Sequence, residues 1–262
     1  MGKVIVVTSG KGGVGKTTTT ANVGGALTKL GRKVLLVDMD VGLRNLDLVM
    51  GLENRVVYTF MDVLEGRATA EQAMVREKRS DGALMLLAAS QLHNKQDLDI
   101  DKVREAIAAL AEDFDYVFLD SPAGIEHGFE ASSAPAGRAL IVVTPDVTSV
   151  RDADRVIGLL ENKGVRDCAL IVNKYDRVLI ERKKQLTSDD IVDVLGAELI
   201  GVVPDDKAII EATNRGDILA LSQNTPATAA YMEIARRLEG EQTGFAALST
   251  GRSLLSMFRR QK

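Results

Sequence analysis

Lys3-Val4-Ile5-Val6-Val7-Thr8-Ser9-Gly10-Lys11-Gly12-Gly13-Val14-Gly15-Lys16-Thr17-Thr18 is the stretch that decides the fold. A β-branched run ends in a glycine-rich turn, and the turn opens onto a helix-like segment. From Gly10 to Thr17 the spacing is glycine, four residues, glycine, lysine, threonine, which is the phosphate-loop pattern. Glycines let backbone N–H groups converge on phosphate oxygens, and a helix N-terminus behind them is itself an anion site. The pattern predicts that Gly10, Lys11, Gly12, Gly13, Val14, Gly15, Lys16, Thr17 and Thr18 cradle a nucleotide polyphosphate. Lys16 is expected on the β- and γ-phosphates, and the Thr17 hydroxyl on Mg²⁺. Lys11 is a second lysine that an ordinary phosphate loop does not need.

Outward from this loop, short apolar runs alternate with longer helical patterns. Strands are predicted at Lys3–Thr8, Lys33–Asp38, Ala83–Ala88, Tyr116–Asp120, Ala139–Thr144, Cys168–Asn173 and Glu198–Val203. Most are apolar throughout, as parallel strands buried on both faces are. Helices are predicted at Lys16–Leu30, Asp101–Glu112, Val150–Lys163, Ser188–Leu195, Lys207–Asn214 and Ala227–Glu239. This alternation predicts an α/β fold: a three-layer, doubly wound, mostly parallel sheet. One P-loop domain is expected over residues 1–240, followed by a flexible tether over 241–251 and an amphipathic helix over 252–262.

Composition narrows the class. The 262 residues are 45% hydrophobic and 27% charged, with a net charge of −4. That excludes a disordered chain and gives no sign of a generally basic nucleic-acid surface. The single cysteine, Cys168, excludes an internal disulfide framework. The strand-like run beginning at Lys3 leaves no signal peptide before it, so a cytoplasmic location is expected. Charge is unevenly spread: residues 249–262 carry +4, leaving −8 for the rest. A basic tail on an acidic body suggests a tail with a partner of its own.

Two predicted strands end in carboxylates, Asp38-Met39-Asp40 and Asp120-Ser121-Pro122-Ala123-Gly124. C-terminal ends of parallel strands form the ligand crevice of such sheets. Asp120 is therefore expected to hold Mg²⁺ through water, with Asp38 in the same shell and Asp40 orienting the attacking water. Mg²⁺ keeps several waters and takes one or two carboxylates, so this set suffices. Hydrolysis at such a site is mostly positioning and charge neutralisation. His93 and His127 read as surface or loop residues without a role.

The chain resembles the MinD family, within the ParA/MinD group of deviant Walker ATPases, over nearly its whole length. The resemblance rests on the run from Val6 to Thr18, on Gly42-Leu43-Arg44-Asn45-Leu46-Asp47-Leu48, on Asp120-Ser121-Pro122-Ala123-Gly124-Ile125-Glu126, and on Ser149-Val150-Arg151-Asp152-Ala153-Asp154-Arg155. It implies an ATPase that forms a homodimer when ATP is bound, binds membrane reversibly, recruits the division inhibitor MinC and is stimulated by MinE. It implies that Lys11 reaches the other subunit's nucleotide and that Asp40 is the hydrolysis residue of switch I. Ser121, Ile125 and Glu126 then lie in switch II, and Asp152 on a dimer and partner surface. The implied location is the cytoplasm and, peripherally, the inner membrane surface.

Asn173-Lys174-Tyr175-Asp176 fits the N-K-x-D spacing with which GTPases read guanine. The resemblance implies another use, with Asn173 contacting adenine and Pro204, Asp205 and Asp206 lining the base. Asp176 is then a turn aspartate. At the chain's end, helical spacing puts Leu254, Leu255, Met257 and Phe258 on one side, with Arg259 and Arg260 flanking them. This is the pattern of an interfacial membrane helix on anionic lipid. Each buried large apolar side chain contributes roughly 1.5–3 kcal/mol and each nearby Arg or Lys about 1 kcal/mol. Ordering each residue costs about 1–2 kcal/mol, so one short tail binds marginally and two on a dimer bind as a bivalent unit. The competing readings are a DNA-partition or flagellar-number ATPase of the same group, and a nucleotide-gated binding protein with little turnover.

Overall fold

The computed structural model describes residues 2–248. The expected amphipathic helix, with Leu254, Leu255, Met257, Phe258, Arg259 and Arg260, lies outside them. Eight strands form one sheet: β1 (Lys3–Thr8), β2 (Val34–Asp38), β3 (Val75–Arg76), β4 (Leu84–Leu87), β5 (Tyr116–Asp120), β6 (Arg138–Val143), β7 (Asp167–Tyr175) and β8 (Glu198–Pro204). Their order is β3-β4-β2-β5-β1-β6-β7-β8. Every pairing is parallel except β3 with β4.

Twelve α-helices occur among the described residues: α1 (Lys16–Lys29), α2 (Leu46–Met50), α3 (Phe60–Leu64), α4 (Ala70–Ala73), α5 (Ile100–Leu110), α6 (His127–Ser133), α7 (Val147–Asn162), α8 (Arg177–Glu181), α9 (Ser188–Leu195), α10 (Lys207–Asn214), α11 (Leu219–Ser222) and α12 (Pro226–Leu238). The sheet has two buried faces because successive strand residues alternate between two cores. Ile5, Val7, Leu36 and Phe118 pack with α1 and α12 on one side. Val6, Val37, Leu119 and Ile141 pack with α5, α7 and α9 on the other. Continuous apolar strands are the direct consequence.

The longer helices start where the chain supplies caps. The Asp99 carboxylate accepts from the Asp101 and Lys102 amides before α5, Asp146 from Ser149 before α7, and Thr225 from Thr228 before α12. Asp146 makes α7 begin three residues before the expected Val150. The antiparallel β3 and the short helices α2, α3, α4, α6, α8 and α11 are not among the elements expected from the sequence. The expected tether also differs. Phe245, Ala247 and Leu248 pack against the core, and the Arg237 guanidinium donates to the Thr243 and Gly244 carbonyls and stacks over the Phe245 ring. Up to Leu248 this segment is docked on the body. No helix among the described residues is long and apolar enough to cross a membrane.

Candidate nucleotide site

β2, β5 and β1 deliver their C-terminal ends side by side in that order, and the phosphate loop leaves β1. The loop turns through left-handed conformations at Gly13 and Gly15, with φ of 76° and 98°. At Gly15 a Cβ would also stand 2.4 Å from the Asn173 Nδ2 atom, and at Gly10 it would strike the Asp152 backbone at 2.4 Å. Glycine at these two positions lets the loop pass under α7 and beside β7. Nothing lies within 4 Å of a Cβ at Gly13, so that face of the loop is open.

A cavity of about 520 Å³ spreads from this loop. It is lined on the phosphate side by Gly12, Gly13, Gly15, Lys16, Thr17, Thr18, Asp40 and Ser121, and at the far end by Asn173, Pro204, Asp205 and Asp206. The predicted phosphate and base segments therefore meet in one space. Lys11 is not among its walls. The Lys11 ammonium, half-exposed, donates to Thr148 Oγ1 at 3.0 Å and lies 3.7 Å from the Asp146 carboxylate. Burial pushes Asp146 up, but hydrogen bonds from Thr144, Thr148 and the Ser149 amide, with the Lys11 charge, outweigh it and hold the acid at about 2.

The acids divide by environment. Asp38 and Asp120 are opposite each other in the β2–β5 register, and both are fully buried. Burial raises Asp120 above the ordinary carboxylate range, and the Asp38 charge raises it further, against hydrogen bonds from Thr17 and Thr20 and the charge of Lys16. Thr20 Oγ1 donates to Asp120 Oδ1 at 3.1 Å. Lys16, 8% exposed, is shifted down by burial, with Asp120 and Asp40 opposing. Asp38 is also raised by burial, but its oxygens are engaged. Oδ1 accepts the Asp40 amide at 2.9 Å, and Oδ2 accepts those of Asn45 and Leu46, each at 3.1 Å. The Asp38 lone pairs thus organise the 40–46 loop, which sets it apart from Asp120; neither acid is among the residues that line the cavity. Asp40 does line it, and its carboxylate pairs with the Lys95 ammonium at 2.9 Å. Lys95 was invisible in the sequence.

At the base end, Asn173 Nδ2 donates to the Val14 carbonyl at 2.8 Å. Its Oδ1 is buried without a hydrogen-bond partner. Such an orphaned acceptor is uncommon and calls for a donor from a ligand. The Lys174 ammonium donates to the Gly13 carbonyl at 2.8 Å, so β7 braces the phosphate loop twice. Asp176 sits elsewhere. Its Oδ1 caps α8, accepting the Val178 and Leu179 amides at 2.8 and 3.2 Å, as a turn aspartate does. One oxygen of the carboxylate that an N-K-x-D motif would offer to guanine is thus spent on the helix cap.

The residues also fit Mg²⁺ bound together with a polyphosphate. No group of three His, Cys, Asp or Glu that could hold a metal occurs among the described residues. A magnesium site needs no such cage, because phosphates and water supply most ligands. Ser121 is buried with its amide on the Val7 carbonyl at 3.1 Å. Ile125 is partly buried and Glu126 is exposed just before α6. Asp152 is half-buried on α7 under Gly10. Neither histidine is idle. His93 Nδ1 meets Ser90 Oγ at 2.7 Å, and His127, the first residue of α6, places Nε2 2.8 Å from the Leu98 carbonyl.

Residues 5–219 match the family model for the CobQ/CobB/MinD/ParA nucleotide binding domain. Over 263 aligned residues the chain is 46% identical to the septum site-determining protein MinD of Synechocystis sp., covering 100% of this chain and 98% of that one. Among solved structures it is similar to the MinC:MinD cell division protein complex of Aquifex aeolicus, with a TM-score of 0.86 and 50% identity over 93% of this chain and 98% of that one. It is also similar to MinD of Pyrococcus horikoshii complexed with Mg-ADP, with a TM-score of 0.80 and 30% identity over 91% of this chain and 96% of that one.

Proposed function

This chain belongs to the MinD family of cell-division ATPases, and from that premise we propose that it is a nucleotide-switched membrane carrier. With ATP it forms a homodimer, binds anionic lipid at the inner face of the membrane through residues 252–262 and recruits MinC; MinE stimulates the hydrolysis that releases it. The MinC and Mg-ADP complexes of its relatives support the partner and the ligand. No direct contact with nucleic acid is part of this reading.

The observation that carries the proposal is the placement of Lys11. It belongs to the phosphate loop, yet its ammonium is 46% exposed and turned away from its own cavity toward α7. From there it is available to a nucleotide held by a second subunit facing this surface. Lys16 and the loop amides hold the β- and γ-phosphates. Thr17 and Asp120 hold the ion, which when bound supplies charge neutralisation at the leaving and transferred phosphates. Asp40 orients the attacking water, and Asn173 Oδ1 accepts the adenine amino group. Ser121, Ile125 and Glu126 connect the site to the MinC- and MinE-binding surface, with Asp152 beside them.

Co-sedimentation with anionic vesicles in Mg²⁺ with ATP, ADP or GTP tests the switch. Binding in ATP alone is expected, and Phe258→Glu is expected to abolish it while leaving ATP binding intact. Equal binding in all three nucleotides removes the switch. Binding in GTP alone restores the N-K-x-D reading. No binding in any state turns the assignment to DNA partition or pure regulation.

A further inference from the structure

The strand-end acid Asp40 has a partner from a distant part of the chain. Lys95 lies in the loop between β4 and α5, and its Nζ is 2.9 Å from Asp40 Oδ1, with the side chains only 29% and 13% exposed. The loop is held on both sides. The Gly42 amide donates to the Ser90 carbonyl at 2.8 Å, which ties it to the segment after Asp40. The Asn94 amide donates to Asp97 Oδ2 at 2.8 Å, and the Asp97 amide returns to the Asn94 carbonyl at 3.0 Å. His127 reaches the Leu98 carbonyl from α6. The lysine's stem passes over Gly128, where a Cβ would stand 3.4 Å from Lys95 Cδ and 2.7 Å from Pro122 Cγ.

The geometry points to Lys95 as a positioning residue for Asp40, a strap running from the start of α6, just after residues 121–126, to the acid that orients water. This rests on the assignment of Asp40 to the hydrolytic step. An exposed ion pair is worth little, but this one joins a cavity-lining carboxylate to a lysine whose stem is packed; Asp40 Oδ1 is buried without a hydrogen-bond partner, so the lysine draws the carboxylate toward itself by charge alone. Positional error of about 1 Å at a reacting group costs roughly 10²-fold in rate. Movement of α6 or of the segment before it would shift Gly128 under the lysine stem and therefore shift the acid. Lys95 is absent from the cavity wall but its charge reaches Lys16, so its effect on nucleotide affinity is expected to be smaller than its effect on turnover.

The test uses the full chain with Lys95→Ala, Lys95→Arg, Asp40→Asn and the Lys95→Ala/Asp40→Asn pair. Lys95→Ala is expected to lower kcat by about tenfold or more, with a smaller change in KM for ATP and in the affinity for a fluorescent ATP analogue. Lys95→Arg is expected to restore part of the loss. In the Asp40→Asn background, Lys95→Ala is expected to add nothing. A readout without turnover is the ¹⁵N resonance of the Lys95 ammonium in the nucleotide-free protein. It should be protected from exchange in the wild type and lost in Asp40→Asn. Unchanged or faster turnover in Lys95→Ala, an additive double variant, or an ammonium signal indifferent to Asp40→Asn each overturn the proposal. If Asp40→Asn itself turns over like the wild type, the hydrolytic assignment of Asp40 fails instead, and the ammonium signal still reports whether the pair exists.

Discussion

β5 joins two clusters of ionisable groups that solve opposite problems. At its N-terminal end Tyr116 donates from its hydroxyl to Glu239, Glu239 pairs with Arg32, and the Lys3 ammonium reaches Tyr116 Oη and the Leu238 carbonyl, each at 3.1 Å. Arg32 and Glu239 there are a pair of opposite sign, and Lys3 has two oxygen acceptors within the chain. At the C-terminal end of the same strand, Asp120 faces Asp38 in register, burial pushes both acids up, and burial pushes Lys16 down. Buried polar groups are normally satisfied, so the end whose charges are left in conflict is the end that awaits an ion and an anion. The same five-residue strand is finished for stability at one end and left unfinished for binding at the other.

The largest effect that sharpens this contrast is loss of Lys16. It is the buried cation of the unfinished end, placed where charge on the transferred phosphoryl group must be offset. Lys16→Ala is expected to reduce steady-state ATP turnover by roughly 10²–10³, the scale seen when one preorganised charge-stabilising group is removed. A turnover within a few-fold of wild type would move the phosphate site away from this loop.

Next in size is a gain of stability. A carboxylate whose folded value is raised binds more protons folded than unfolded, between its ordinary value and the raised one. Stability therefore falls as pH rises through that window. The nucleotide-free protein is expected to melt lower at neutral pH than near pH 5 on account of the Asp38–Asp120 pair. Asp120→Asn removes one of the two facing charges while keeping an oxygen to accept from Thr20. It is expected to raise the nucleotide-free melting temperature at pH 7 by about 2–6 °C, the equivalent of about 1–2 kcal/mol. The extra stabilisation by Mg²⁺ with nucleotide should be lost. A variant that melts lower than wild type at pH 7 breaks the comparison, because the pair would then be stabilising.

Sequence reading reached the frame of this arrangement because the frame is periodic. The parallel strands are apolar runs, and the phosphate loop is spaced by glycines whose positive φ the backbone requires. It failed where the signal is short or non-local. β3 is two residues, Val75 and Arg76, paired to Leu86 and Met85. α2 and α3 have five residues each, too few to show a period. The acids Asp38, Asp40 and Asp120 could be found as strand ends, but their division of labour could not. Whether Asp38 faces an ion or three backbone amides depends on how residues 40–46 fold back over it. Lys95 carries no motif at all: a lysine in a polar loop becomes meaningful only when the loop lies beside Asp40. Asn173 was found through a motif shared with guanine-binding proteins, and only the position of Asp176, spent on α8, separates the two uses.

The smallest effect tests the finished end. Burial pushes Glu239 up, but hydrogen bonds from Tyr116 and Arg32 and the charges of Arg32 and Lys3 outweigh it and hold the acid below its ordinary value. A lowered carboxylate contributes stability above its unfolded value, and that contribution is lost as pH falls through the folded one. Glu239→Gln keeps the shape and can still accept from Tyr116, while losing the charge that Arg32 and Lys3 share. It is expected to lower the melting temperature at pH 7 by less than the Asp120→Asn variant raises it, because Arg32 is largely exposed and solvent screens the pair. The two proteins should converge as pH falls through the lowered folded value of Glu239, where the wild-type acid takes up its proton. The pH profiles of the two variants therefore slope in opposite senses relative to wild type: near pH 7 Asp120→Asn is above it and Glu239→Gln below it, and both differences shrink in acid. If Glu239→Gln instead raised the melting temperature at neutral pH, the N-terminal end of β5 would also hold a charge in conflict, and the division of this strand into a satisfied end and a binding end would fail.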